Sequence, residues 1–360
     1  MWFAGVGWVG TDLVVAVVDA SGAPVSARRA YPVALLDDLV ADLARWRGAA
    51  PGGLACVIDS TAGVLERVLV EADLAVHRVD PPHARARAPH HGCPAGGAPV
   101  EQLAALAVTS PAALQRLTAL EGGLAGRDAE VEQAEAACVP LEDDLRAAGS
   151  LVVRGPAGSR EVALTFDDGP HPEHTPALLR VLRRFDVHAT FFCVGMQAQA
   201  HPHVVEQIAA AGHTIGHHTW SHAYLPDLDS LSLSYQLERT SATIENVTGT
   251  APTLVRPPYG GRDPRVLREL AASGMTTVMW DVESPDWARP GADVIVRDVV
   301  TGCADGSVVL LHDGGGDRAQ TVEAVPRILE SLLGDGYRVA PLDRFVPSAG
   351  RTAAAPRPSR

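Results

Sequence analysis

Apolar and polar positions along the chain fall into two regimes divided by a polar middle. In the first regime, Trp2 to Val6 and Leu13 to Val18 predict a β-hairpin, the second run passing straight into the turn residues Asp19-Ala20-Ser21-Gly22. Leu35 to Trp46 carries apolar residues at helical spacing, and Leu54 to Ile58 is a short continuous apolar run of strand length. Ser60 and Thr61 are placed to cap a helix from Ala62 to about Glu71, and Leu74 to Val79 reads as a further strand.

The polar middle begins with a stretch rich in Pro, His, Arg and Gly, including Pro81, Pro82, His83, Arg85, Arg87, His90 and His91, which predicts an exposed loop. Its histidines lack regular spacing on a framed element and read as solvated. Residues 101–149 alternate apolar and acidic positions at helical spacing, broken at Pro111 and Gly122-Gly123. They predict two or three bridging helices, with Glu130, Glu132, Glu135, Glu142, Asp143 and Asp144 on a solvated face. From Glu161 onward, apolar strands (161–166, 189–194, 213–216, 253–256, 275–280, 307–312 and 337–340) alternate with amphipathic helices such as Pro176–Arg184, Pro202–Ala211 and Pro264–Ala272. Strand, helix, strand in sequence requires parallel pairing. The expected fold class is therefore α/β: a distorted β/α barrel of about seven strands behind a smaller α/β domain. The expected organisation is a first domain over 1–80, a loop and helical connector over 81–150, the barrel over 151–346, and a disordered tail of Ala, Pro, Ser and Arg over 347–360.

Composition narrows the function. A hydrophobic fraction of 46% permits a full core, and a charged fraction of 20% does not suggest a disordered chain. A formal net charge of −13 argues against a nucleic-acid partner held by a general basic field. The five cysteines, Cys56, Cys93, Cys138, Cys193 and Cys303, include no C-x-x-C pair, so neither a zinc ribbon nor a disulfide framework is expected. The first residues carry no basic segment followed by a long apolar run, and no stretch approaches the ~20 apolar residues of a membrane span. The expectation is a soluble cytoplasmic protein with no membrane partner; the sequence does not address its oligomeric state.

The candidate chemistry centres on Leu164-Thr165-Phe166-Asp167-Asp168-Gly169-Pro170, a buried strand delivering two acids to its tip. The strand tip is where chemistry sits in a β/α barrel. Adjacent residues point opposite ways, so one acid can bind a metal while the other acts as a base. A second strand runs into His217-His218-Thr219-Trp220-Ser221-His222. If the chain enters a helical turn there, His218 and His222 lie on one face and can share an ion, while His217 faces away. With Asp168 they form a two-imidazole, one-carboxylate set that suits a catalytic divalent ion, zinc first, with cobalt, nickel or iron as further candidates. Further strand ends carry Arg256-Pro257-Pro258-Tyr259-Gly260, then Asp281-Val282-Glu283-Ser284-Pro285-Asp286-Trp287, then Val308-Val309-Leu310-Leu311-His312. The prolines stiffen the loop after Arg256, leaving the Tyr259 amide available to a developing oxyanion. Trp287 beside an acid can wall a sugar pocket.

These five motifs, in this order over about residues 160–340, closely resemble the polysaccharide deacetylase family, the NodB-homology or carbohydrate esterase 4 group. The resemblance implies a distorted β/α barrel with an Asp-His-His metal site. It implies Asp167 as general base, Asp168, His218 and His222 as metal ligands, and Arg256 orienting Asp167. It further implies Asp286 tuning His312 as the catalytic acid, with Trp287 lining the groove and Leu310 the acetyl pocket. His217 stands where the family commonly has Asn, and Glu283 where it commonly has Asp. The first domain resembles the ribonuclease-H-like fold, in particular the N-terminal region of IS110-type transposases. Gly7 stands where that family places its first acid, and only Asp59 falls where a second belongs, so no two-metal nuclease site can assemble.

The leading expectation is thus a metal-dependent hydrolase that removes acetyl from an N-acetylglucosamine-type oligo- or polysaccharide. The ion lowers the pKa of the attacking water, Asp167 takes its proton, and His312 protonates the departing amine. A deacylase or deformylase of a small non-polymeric amide is the second expectation. A non-catalytic binding protein using the first domain is the third.

Overall fold

Two sheets organise the chain in a computed structural model, which describes all residues except 10–11, 33–34, 60–63, 80–98, 118–123, 125 and 347–360. The expected loop histidines His83, His90 and His91, the Ser60 and Thr61 caps, Cys93 and the 347–360 tail lie outside the described residues.

The first sheet contains β1 (Trp2–Val9), β2 (Asp12–Asp19), β3 (Arg29–Pro32), β4 (Leu54–Asp59), β5 (Ala75–Val79) and β6 (Leu114–Arg116), in the order β3-β2-β1-β4-β5-β6. The β1–β2 hairpin is antiparallel, β1–β4 and β4–β5 are parallel, and β6 returns antiparallel on β5. Among the described residues, three helices accompany it: α1 (Leu36–Ala49), α2 (Val64–Glu71) and α3 (Val100–Thr109). Helix α3 buries Val100, Leu103, Ala104, Leu106 and Ala107. It approaches β1 so closely that a Cβ on Gly5 would lie 1.8 Å from the Val100 carbonyl, a contact only glycine escapes. The domain boundary expected at residue 80 is therefore corrected: α3 and β6, expected in the connector, complete the first sheet. Their apolar face needs the sheet surface that the first 80 residues leave uncovered.

The second sheet follows α4 (Asp128–Ala136) and α5 (Val139–Ala147). Its strands are β7 (Leu151–Val152), β8 (Glu161–Asp167), β9 (Thr190–Cys193), β10 (Thr214–His217), β11 (Leu254–Val255), β12 (Thr276–Val278), β13 (Val282–Glu283), β14 (Val308–His312) and β15 (Arg338–Val339). All pair in parallel, in the order β13-β14-β8-β9-β10-β11-β12-β7, with β15 also on β8. Among the described residues no pairing joins β13 to β7, so the sheet is curled rather than a closed barrel. Helices α6 (His174–Arg184), α7 (Gly195–Ala200), α8 (Pro202–Ala210), α9 (Ser230–Thr248), α10 (Pro264–Ala272), α11 (Ala292–Gly302) and α12 (Ala319–Gly334) lie between the strands. Local signals set their ends: the Asp229 and Asp263 carboxylates accept from Ser232 and Val266 amides to cap α9 and α10, and Gly249 ends α9 in the left-handed region. No helix of the described residues is long and apolar enough to cross a membrane.

Strand parity decides what reaches the inner face. Val162, Leu164 and Phe166 of β8 join Leu178, Leu182, Ile328 and Leu329 in the core beneath the helices, whereas Ala163 joins the inner cluster with Val152, Phe192 and Val278. Thr165 and Asp167 follow Ala163 inward. On β14, Val309 and Leu311 go to the helices and Val308 goes inward, carrying Leu310 and His312 with it. Val194, Met196 and Trp220 of this domain form one apolar cluster with the core of the first sheet, including Leu65 and Leu69 of α2. The acidic face expected over α4 and α5 is partly corrected too. Glu135 and Glu142 accept from Arg262 at 2.9 and 3.0 Å, and buried Arg127 forms a two-bond pair with Asp227 at 2.7 and 2.9 Å.

Candidate active site

The two acids of the β8 tip part as strand geometry requires. Asp167 is the last strand residue and pairs in register with His312. Asp168 follows with φ 72°, in the left-handed region, which turns its carboxylate toward the loop after β10. Its Oδ1 lies 3.4 Å from His218 Nε2 and 3.0 Å from His222 Nε2. That oxygen is buried without a hydrogen-bond partner. Burial alone would raise the Asp168 carboxyl, yet the His222 and His218 imidazoles and the Arg67 guanidinium bring it well below the usual carboxylate range.

The helical turn expected to bring the histidines together is absent. Residues after His217 form an irregular loop in which Thr219 (φ 65°) and His222 (φ 62°) are left-handed. The rings still meet, with centroids 4.9 Å apart. Asp168, Thr219, His222 and Tyr259 account for half of the eight non-glycine residues with positive φ among the described residues. Each such conformation costs on the order of 1–3 kcal/mol and persists only where surroundings enforce it. Buried Gln236 on α9 is the main enforcer. Its Oε1 accepts from the Trp220 and Ser221 amides at 2.7 and 2.9 Å, and its Nε2 donates to the Ser221 hydroxyl at 2.9 Å. Gln236→Leu should leave these donors unpaired at about 1–3 kcal/mol each. It should also weaken divalent-ion affinity about 10–100-fold through the disturbed loop. Chelator competition and equilibrium unfolding check both; unchanged affinity would mean Gln236 does not set the loop.

His217 points away from the acids. Its Nδ1 accepts from the Thr219 amide at 2.9 Å and its Nε2 donates to the Leu237 carbonyl at 3.0 Å, a pairing that defines a neutral tautomer. Burial holds its pKa down at about 4. His218 is oriented the opposite way: Nδ1 donates to the Arg256 carbonyl at 2.7 Å, so Nε2 is the nitrogen turned toward Asp168.

Arg256 is fully buried and bridges the site. Its guanidinium donates to Asp167 Oδ1 at 2.8 Å, to Thr165 Oγ1 at 2.7 Å, and to the Val278 and Met279 carbonyls at 3.3 and 3.2 Å. It lies between the Phe192 and Trp280 rings, 4.3 and 5.5 Å from their centroids. The Glu283 carboxylate accepts from Trp280 Nε1 at 2.8 Å, so this departure from the family pattern fixes the ring that flanks Arg256. Asp167 Oδ2 remains 3.6 Å from His218 Nε2.

On the opposite wall, His312 Nδ1 contacts Asp286 Oδ1 at 2.7 Å, and Asp286 Oδ2 accepts from the His312 amide and the Thr321 hydroxyl. Burial raises the Asp286 carboxyl, but His312, Arg318 and Thr321 outweigh it and hold it below its ordinary value. Leu310 is buried on the same inward face, Trp287 is half-buried beside Asp286, and the Tyr259 ring packs 4.6 Å from that of His222. Sequence reasoning missed four neighbours: Thr165, Gln236, Arg67 and Asp313. Asp313 is buried, accepts from Thr175, and is pushed up to about 7 by burial. Its position directly after His312 was the available signal.

The donor set fits a divalent cation. Asp168, His218 and His222 each offer one ligand atom, all within 4.8 Å of one another. The buried Asp168 Oδ1 and the His218 and His222 Nε2 atoms that face it are the donor types an ion requires.

Comparison with known proteins assigns this domain. The family model described as Polysaccharide deacetylase matches residues 154–278, and the chain belongs to the polysaccharide deacetylase family. A peptidoglycan-N-acetylglucosamine deacetylase of Bacillus cereus is 38% identical over 200 residues, covering 55% of this chain and 93% of the relative. A chitooligosaccharide deacetylase of Azorhizobium caulinodans is 33% identical over 193 residues, covering 50% of this chain and 92% of the relative. Among solved structures, a peptidoglycan N-acetylglucosamine deacetylase bound to 4-naphthalen-1-yl-N-oxidanyl-benzamide is similar with TM-score 0.55 and 34% identity, over 56% of this chain and 95% of the other.

Proposed function

We propose that this chain is a metal-dependent hydrolase that removes the acetyl group from an N-acetylglucosamine-type sugar. The observation that carries it is the buried, unpartnered Asp168 oxygen facing two imidazole nitrogens next to a second carboxylate, Asp167, held by Arg256. Asp168, His218 and His222 would hold the ion, zinc first and cobalt, nickel or iron as further candidates. When bound, it supplies a Lewis acid that acidifies a water and polarises the acyl oxygen.

This chain's residues then divide the proton work. Asp167, positioned by Arg256 and Thr165, takes a proton from the water as its oxygen bonds to the acyl carbon. The Tyr259 amide donates to the oxygen on which negative charge develops. His312, held through Nδ1 by Asp286, gives a proton from Nε2 to the sugar nitrogen as the C–N bond breaks. Acetate and a free amino sugar are the products. Trp287 lines the sugar side and Leu310 the acetyl side.

A second reading, a deacylase of a small non-polymeric amide, is favoured by how little water reaches the acids: Asp167 is 2% and Asp168 4% exposed. For the first domain we propose a ribonuclease-H-like scaffold without nuclease activity, supported by Gly7 on β1 where the first acid of a nuclease set would stand, Asp59 at the β4 end matching one further acid of that set.

The test is acetate release after chelation and reloading with zinc. Release from chitooligosaccharides, lost on chelation and restored by metal, is expected. Release only from small N-acyl amides would replace the sugar reading with the second, and release insensitive to chelation would overturn both.

A further inference from the structure

The first domain reaches the acids directly, through α2. Arg67 donates to Asp168 Oδ2 and to the Gly315 carbonyl, both at 3.0 Å. The adjacent Glu66 accepts from the Tyr259 hydroxyl at 3.1 Å. One turn on, Glu71 lies so near the loop after β14 that a Cβ on Gly316 would fall 2.2 Å from its Oε1. These partners belong to three different strand ends: Asp168 follows β8, Tyr259 follows β11, and Gly315 and Gly316 follow β14. Strands β9 and β10 stand between β8 and β11 in the sheet. A single eight-residue helix that meets all three loops must lie across the mouth they surround.

The burial of the site agrees. The side chains of Asp167, Asp168, His218 and His222 are 3, 5, 3 and 9% exposed. The His312 side chain, at 12%, is the most open of the group, so access remains on the side of His312 and half-buried Trp287. The helix is anchored from below, because Leu65 and Leu69 are fully buried in the cluster that also holds Val194, Met196 and Trp220.

We propose that α2 caps the deacetylase mouth, with Glu66 and Arg67 as specificity-determining residues that bar an internal unit of a long polysaccharide and admit short N-acetylated sugars or chain ends. A polymer reacting at an internal unit must continue past the acids in both directions. One of those directions is closed by the Arg67–Asp168 and Glu66–Tyr259 contacts. This inference rests on the deacetylase reading and narrows its substrate class.

The test compares the full metal-loaded chain with the Glu66→Gln/Arg67→Gln pair; the first change is isosteric, the second shortens the side chain and removes its charge, and both leave Leu65 and Leu69 in place. The readout is the ratio of kcat/KM for acetate release from soluble glycol chitin to that from chitobiose. Calorimetric binding of chitobiose and chitohexaose to both forms carrying Asp167→Asn supplies a readout without turnover. The wild-type ratio should favour chitobiose, and the paired change should shift it toward polymer by at least about tenfold, with a matching gain in chitohexaose affinity. Should the pair fail to fold, the single Glu66→Gln and Arg67→Gln chains carry the same comparison. Equal ratios in wild type and variant would overturn the cap while leaving the deacetylase reading intact. Acetate from neither substrate in either form would overturn the deacetylase reading and the cap with it.

Discussion

Asp167→Asn should lower kcat by about 10²–10⁴, while metal content stays at that of the wild type. The separation follows from which atoms do what. Asn retains an oxygen that can accept from Arg256, now at 2.8 Å from Asp167 Oδ1, so the side chain keeps its place. What it loses is the second, basic oxygen beside His218, and an amide there cannot accept the proton of the attacking water. The ligand atoms of Asp168, His218 and His222 are untouched. Acetate-release kinetics with elemental analysis of the same preparation check both halves. Activity within about tenfold of wild type would remove Asp167 from the base role. Loss of metal together with activity would mean that Asp167 holds the ion rather than the proton.

The distribution of what the sequence revealed has a physical logic. Strands β8 and β14 were legible because parallel strands covered on both sides must be continuously apolar, and polar residues at their tips then stand out. The inward placement of Asp167, Leu310 and His312 follows from period-two alternation alone. Helix α10 was legible to its ends because Asp263 and Pro264 are local signals. The approach of His218 to His222 was expected for the wrong geometric reason. Four-residue spacing suggested a helical turn, but a loop with two left-handed residues makes the contact. That loop is dictated by Gln236, which lies fourteen residues beyond His222 on another element, and nothing near either histidine announces it. Arg67 was invisible for the same reason on a larger scale. Its partner Asp168 is 101 residues away, and an arginine on an amphipathic helix ordinarily reads as surface. Sequence periodicity reports which face of an element is buried, not what that face meets. The extent of the first domain was misjudged for a related reason, since α3 and β6 return to its sheet after a long polar interruption.

His218→Ala should reduce bound divalent ion from about one per chain to near background and abolish acetate release. Two losses combine at this residue. The imidazole removes one of three ligand nitrogens and oxygens that converge within 4.8 Å, leaving only His222 and Asp168. It also strips the Arg256 carbonyl of the donor that faces it at 2.7 Å, inside a part of the protein closed to water. An unpaired buried carbonyl costs about 1–3 kcal/mol, so a lower melting temperature should accompany the loss of metal. His217→Gln provides the contrast, because that ring faces Leu237 and Thr219: it should lower stability and leave the metal in place. Elemental analysis and thermal unfolding of the two variants, measured side by side, separate a ligand from a structural histidine. Full metal content in His218→Ala, or its loss in His217→Gln alone, would place the ion somewhere other than between Asp168, His218 and His222.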